Sequence, residues 1–132
     1  MIEVGAKGRF EVEVTKENTA RAMKSGELEV FATPALVAAC EAAAVDAVKD
    51  SLASEDTTVG TLMHLEHTAP SAVGERIVAE AELTAVEGRQ LIFRVCASDG
   101  VGVVGTGEHR RFIVNKTKFI KKANTRGDSI VK

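Results

Sequence analysis

The stretch Thr33-Pro34-Ala35-Leu36-Val37-Ala38-Ala39-Cys40-Glu41-Ala42-Ala43-Ala44-Val45-Asp46-Ala47-Val48-Lys49-Asp50-Ser51-Leu52 decides the fold. After Pro34 it holds neither Gly nor Pro, and alanine, the strongest helix former, dominates it. A threonine suits the N-cap and a proline the first helical position, so the pattern predicts a helix over 35–52, roughly 28 Å long at 1.5 Å per residue. In helical projection Leu36, Val37, Cys40, Ala44, Val45, Ala47, Val48 and Leu52 share one half, and Asp46, Lys49 and Asp50 the other. The alanines at 38, 39, 42, 43, 44 and 47 let a neighbouring layer approach closely.

Outward from this segment the period changes from helical to two. Before it, Phe10, Val12 and Val14 alternate with Glu11 and Glu13, which predicts a half-buried strand over 9–15, and a short helical piece follows over 17–24, ended by Ser25-Gly26. After it, alternation predicts strands over 59–68, 76–86, 89–98 and 103–114, with Glu87-Gly88 joining the middle two as a hairpin. Residues 116–132 are polar and basic and read as a tail, frayed from about 123. Strands at this spacing form an antiparallel sheet, one face of which needs a cover. A single long helix is available to cover it. The expected fold class is α+β, a hotdog: an antiparallel sheet wrapped around one central helix.

Composition bounds the function. The 132 residues and 14.0 kDa fit one domain over 1–132. The five aromatic residues are all Phe, so the stacking surfaces of a single-strand nucleic-acid binder are missing. A net charge of −2 gives no basic footprint for a duplex. Cys40 and Cys96 lie far from any Cys-x-x-Cys spacing and read as reduced core residues. The start, Met1-Ile2-Glu3-Val4-Gly5, is unlike a signal peptide, and no apolar run reaches the roughly 18 residues of a membrane span. The expectation is a cytoplasmic protein with no nucleic-acid and no membrane partner.

Polar residues stand where apolar ones belong. Glu41 falls within the apolar arc of the helix. It is either a base or nucleophile whose carboxylate burial perturbs, or a solvated or paired side chain at a helix edge or subunit interface. On the next strand Val59, Thr61, Met63, Leu65 and His67 share a face, so His67 continues an apolar row, unless a bulge reverses it. It reads as a catalytic imidazole or as a hydrogen-bonded structural one. Thr33 is explained by capping alone, yet projects onto the same half as Glu41, roughly 12 Å away along the axis. His64 and His67 point to opposite faces, which disfavours a shared metal, and Gly102, Gly105 and Gly107 read as close-packing glycines rather than a phosphate loop. Lys116, Lys118, Lys121 and Lys122 either meet phosphate oxygens or form a solvated run.

Val30-Phe31-Ala32-Thr33, the helix bearing Glu41, Val59-Gly60-Thr61 and His67-Thr68-Ala69 together resemble the fluoroacetyl-CoA thioesterase branch of the hotdog superfamily. The resemblance continues through Leu83 to Arg89, Ser98-Asp99-Gly100 and Gly105 to Arg110, and spans most of 30–122. It implies Thr33, Glu41 and His67 as catalytic residues, and Gly60, Phe31, Arg111 and Lys118 against the substrate. The segment Arg21 to Val30 is shorter than the family's aromatic lid region and holds no aromatic residue before Phe31. Thioesterase chemistry is thus implied, and selectivity for a fluorinated acyl group is not. The expected function is hydrolysis of short acyl-CoA thioesters by a homodimer with its sites between subunits, needing no cofactor or metal beyond the coenzyme A of the substrate. The rivals are a non-catalytic acyl-CoA or small-ligand binding protein on the same fold, and a hydratase, for which the Asp-x-x-x-x-His signature is lacking.

Overall fold

The computed structural model describes residues 1–127. Its elements follow the order β1 (Lys7–Glu13), α1 (Ala20–Met23), α2 (Thr33–Val48), a 3₁₀ turn (Lys49–Ser51), β2 (Asp56–His67), β3 (Arg76–Glu87), β4 (Gln90–Ser98), β5 (Val103–Asn115) and α3 (Lys116–Thr125). The five strands make one antiparallel sheet in the order β1-β3-β4-β5-β2, curled over the long α2. This is the hotdog arrangement.

Alternation builds the sheet's inner face. Ile77, Ala79, Ala81 and Leu83 of β3, and Leu91, Phe93, Val95 and Ala97 of β4, are all buried, with Ala79 opposite Ala97, Ala81 opposite Val95 and Leu83 opposite Phe93. Each large aliphatic or Phe side chain so removed from water contributes about 1.5–3 kcal/mol. Against this face α2 lays Leu36, Ala39, Cys40, Ala43, Ala44 and Val48. Small residues on both layers bring them to backbone contact. A Cβ on Gly8 of β1 would collide with the Ala43 carbonyl and the Ala47 backbone.

The helix departs from expectation at both ends. Its N-cap is Ala32, extended at φ −75° and ψ 142°, whose carbonyl accepts from Leu36 N at 3.0 Å. Thr33 is therefore the first helical residue, and its hydroxyl is free of the capping duty. At the far end α2 tightens into the 3₁₀ turn after Val48, and Leu52 is extended. Val45, expected inside, is 40% exposed. Because α2 is apolar nearly all round, the sheet's position rather than the helix pattern selects the buried stripe.

Two further departures matter for the site. The register of β2 against β5 shifts between Gly60 and Leu62, a bulge at Thr61. The bulge breaks the uniform alternation expected along this strand. Thr58 and Gly60 face the helix before it, Met63, Leu65 and His67 after it, and Val59 and Thr61 turn away. The basic segment expected as a tail is the helix α3, capped by Asn115, whose side chain accepts from Lys118 N at 3.0 Å, so residues 123–125 are helical rather than frayed. Residues 128–132 lie outside the described part. Gly105 and Gly107 pack as expected: a Cβ on Gly105 would stand 2.8 Å from Leu36 Cδ2, and one on Gly107 would strike the His64 carbonyl.

Candidate active site

At the start of α2 the freed Thr33 hydroxyl lies 2.8 Å from His67 Nδ1, at the end of β2. Both elements are pinned there. Thr68 N donates to the Val104 carbonyl at 2.7 Å, and His67 pairs across the ladder with Gly105, whose missing side chain admits Leu36. The two residues border an open cleft of about 320 Å³, walled by Ala20, Ser25, Val30, Phe31, Ala69 and Pro70. Phe31, 1% exposed, forms its apolar floor. Among the described residues His67 Nε2 is buried with no hydrogen-bond partner. Burial pushes the His67 imidazole below its ordinary range, partly offset by the Ala69 backbone, so the ring is neutral at pH 7. A neutral imidazole can accept the Thr33 proton at Nδ1.

Glu41 belongs to a second cluster, two helical turns and roughly 12 Å further along α2. Its carboxylate Oε2 is 3.4 Å from Arg111 Nη1, with side-chain exposures of 40% and 8% respectively. Arg111 is held on every side: Nε donates to Thr58 Oγ1 at 2.8 Å, Nη2 to the Thr58 carbonyl at 3.0 Å, and Nη1 lies 3.1 Å from His109 Nε2. His109 Nδ1 is 2.8 Å from the Leu62 carbonyl, an acceptor only, so Nδ1 carries the proton and Nε2 accepts from Arg111. The ring is 1% exposed and stacks on Phe93, and burial, against the Leu62 carbonyl, lowers its pKa. Burial also lowers the Arg111 pKa, opposed by the Glu41 charge, and the guanidinium stays protonated. Gly60 leaves the space that Glu41 occupies, since a Cβ there would stand 2.6 Å from Oε2.

The structure thus gathers the expected residues into two groups, Thr33 with His67 and Phe31, and Glu41 with Gly60 and Arg111. It leaves Lys118 apart, on α3 at the opposite end of β2. Thr58 and His109 were missed. The alternation of β5 carries a signal for the latter, since His109 and Arg111 follow Gly105 and Gly107 on one face. The pairing to Thr58 depends on the bulge and has none. Among the described residues no group of three His, Cys, Asp or Glu side chains is placed to hold a metal ion.

Comparison with known proteins places this geometry. A solved thioesterase superfamily member from Thermus thermophilus superposes with a TM-score of 0.86 at 26% identity, covering 98% of each chain. The structure of the fluoroacetyl-CoA thioesterase FlK superposes with a TM-score of 0.89 at 33% identity, over 95% of this chain and 97% of that one. The fold and site therefore define a hotdog thioesterase. The fluoroacetyl-CoA thioesterase of Streptantibioticus cattleyicolor is 40% identical over 94 residues, 71% of this chain and 68% of that protein. The model of the FlK, fluoroacetyl-CoA-specific thioesterase, family matches residues 14–117, and the chain belongs to that family.

Proposed function

We propose that the chain hydrolyses short acyl-CoA thioesters to the free acid and coenzyme A. The observation that carries this reading is the Thr33 hydroxyl on neutral His67, at a helix start and beside an open, apolar-floored cleft. A point mutant of the related FlK has been solved in complex with fluoroacetate and CoA, at a TM-score of 0.84 and 34% identity over 89% of this chain and 99% of that one. In this reading the acyl group lies over Phe31, and the amides at the start of α2 polarise the thioester oxygen as negative charge develops on it. His67 draws the Thr33 proton and orients the hydroxyl toward the carbonyl carbon. Attack on that carbon by the Thr33 oxygen, by Glu41 held by Arg111, or by a water that Glu41 deprotonates breaks the C–S bond, the thiolate leaves and takes up a proton as coenzyme A, and water hydrolyses any acyl-enzyme formed.

For Glu41 to reach an acyl group held at Thr33, a second subunit is needed, because the two residues of one chain stand two helical turns apart. The β2 strand supplies the means. It is a sheet edge of 12 residues with one side unpaired among the described residues. Antiparallel pairing of β2 with its copy lays the His67 end of each strand beside the Gly60 end of the other, and brings the Thr33 and His67 pair toward the partner's Glu41. The homodimer is part of the proposal, as is a cytoplasmic setting, which the free Cys40 and Cys96 thiols support. Among the described residues no helix is long and apolar enough to cross a membrane.

The test is thiol release from a panel of acyl-CoA esters, from acetyl and fluoroacetyl to branched and aromatic acyl groups. Glu41→Gln is expected to lower kcat by at least about 100-fold while the protein stays folded. Tight CoA-ester binding without thiol release would replace hydrolysis with the binding-protein reading.

A further inference from the structure

One wall of the cleft beside Thr33 belongs to neither sheet nor helix. Its residues, Ala69 and Pro70, lie in the connection between the end of β2 at His67 and the start of β3 at Arg76. Pro70 brings no N–H with which to anchor this wall. The next residue, Ser71, is 1% exposed, and a polar side chain so deeply buried needs a partner. It has one in Asp99, whose Oδ2 accepts from the Ser71 hydroxyl at 2.7 Å, the length of a charge-assisted bond. Asp99 directly follows β4, an interior strand of the sheet, and its other oxygen, Oδ1, accepts from Val101 N at 2.8 Å and Gly102 N at 3.0 Å. The Ser71 hydroxyl, and after it these amides, hold the Asp99 carboxyl below its ordinary range, so it is ionised at pH 7.

The same contact reaches the floor of the cleft. Phe31 N donates to the Ser71 carbonyl at 2.9 Å, and Val30 bridges to Ala72. Floor and wall are therefore joined at Ser71, and Asp99 ties both to the sheet. Neither Ser71 nor Asp99 lines the cleft itself. We propose that the Ser71–Asp99 clasp sets the width of the cleft and so selects for a short acyl chain, the two side chains acting as positioning residues through Phe31 and Pro70. This rests on the thioesterase reading and gives it a determinant of acyl size. With the hydroxyl gone, the floor and wall lose this tie, and the cleft yields to a longer acyl group.

The experiment compares thiol release from acetyl-CoA and propionyl-CoA by the wild type, Ser71→Ala and Asp99→Asn. Asparagine keeps an oxygen for the Val101 and Gly102 amides, so the turn after β4 survives while the charged acceptor of the Ser71 hydroxyl is lost. In each variant the ratio of kcat/KM for acetyl-CoA to that for propionyl-CoA should fall by at least about fivefold, a part of the about 10–200-fold that one methylene is worth in a fitted pocket. A loss of folded protein lowers both rates alike and leaves the ratio unmoved. Ser71→Ala combined with Asp99→Asn should shift the ratio no further than Ser71→Ala alone, because the two ends of one contact are not additive. A smaller shift, equal losses on both esters, or shifts that multiply in the double variant would overturn the clasp while leaving hydrolysis standing. If Ser71→Ala does not fold, Asp99→Asn decides alone. A wild type that releases thiol from no ester would instead count against the thioesterase reading, and the clasp then keeps a readout of its own. Hydrogen exchange at the Phe31 amide should quicken relative to the β4 amides in either variant, and unchanged protection there would refute the tie between Ser71 and the cleft floor.

Discussion

Replacing Gly60 with alanine tests the Glu41 cluster through a single methyl group. The added Cβ would stand 2.6 Å from Glu41 Oε2, 3.3 Å from Arg111 Nη1 and 3.4 Å from His109 Cε1. Ordinary contact begins at 3.4 Å, so only the carboxylate is seriously overlapped and must retreat by about 0.8 Å, the difference of the two distances. It has room to do so, because the Glu41 side chain is 40% exposed. The melting temperature should therefore fall by no more than a few degrees. Catalysis should not be so tolerant, since a misplacement of about 1 Å can cost about 100-fold. The expected loss in kcat is roughly 30–100-fold, read by thiol release from acetyl-CoA beside a thermal melt. If the loss acts through Glu41, then Gly60→Ala placed on Glu41→Gln should add almost nothing, since residues acting as a unit are not additive. A Gly60→Ala enzyme within about threefold of wild type, or losses that multiply in the double variant, would refute the placement of Glu41.

Other outcomes follow from the same geometry. Arg111→Met leaves Thr58, His109 Nε2 and Glu41 without their shared partner, and should destabilise the fold by about 2–3 kcal/mol, roughly 10 °C in Tm, the half-exposure of Glu41 sparing the rest. His67 and His109 are both held below the ordinary imidazole range by burial, so between that lowered range and about pH 6.5 the unfolded chain binds more protons than the folded one. Stability should then be full above about pH 6.5 and drain away on acidification, checked by melts across pH 5 to 7.5, and kcat/KM should show an acidic inflection below 6.5 that moves with His67 variants. Burial, helped by the neighbouring Cys96 and Glu41, pushes the Cys40 thiol up to about 11. Cys40 should stay unmodified by iodoacetamide at pH 8 in native protein and react on unfolding, read by mass spectrometry of its peptide.

Much of this was legible in the chain itself. Alternation over β3 and β4 named the inner face residue by residue, because a strand's period of two is strict and both strands are interior to the sheet. The alanine run from Ala35 announced the helix, and with it the close layer packing that Gly8 completes. Thr33, Glu41 and His67 stood out as polar residues in apolar rows. What the chain could not show were matters of position between elements. Whether Thr33 caps its helix or meets His67 depends on one residue of helix phase. The side of the sheet on which Gly60 lies depends on the bulge at Thr61, which exists only in the pairing with β5. The partners of Arg111 come from β2, β5 and α2, joined across as many as 70 residues. The local sequence determined which elements form and which residues are anomalous, since propensity and periodicity act over a few neighbours. Only the tertiary structure decided which anomalies meet, because hydrogen bonds of 3 Å between distant segments are set by register, curl and packing rather than by any local pattern.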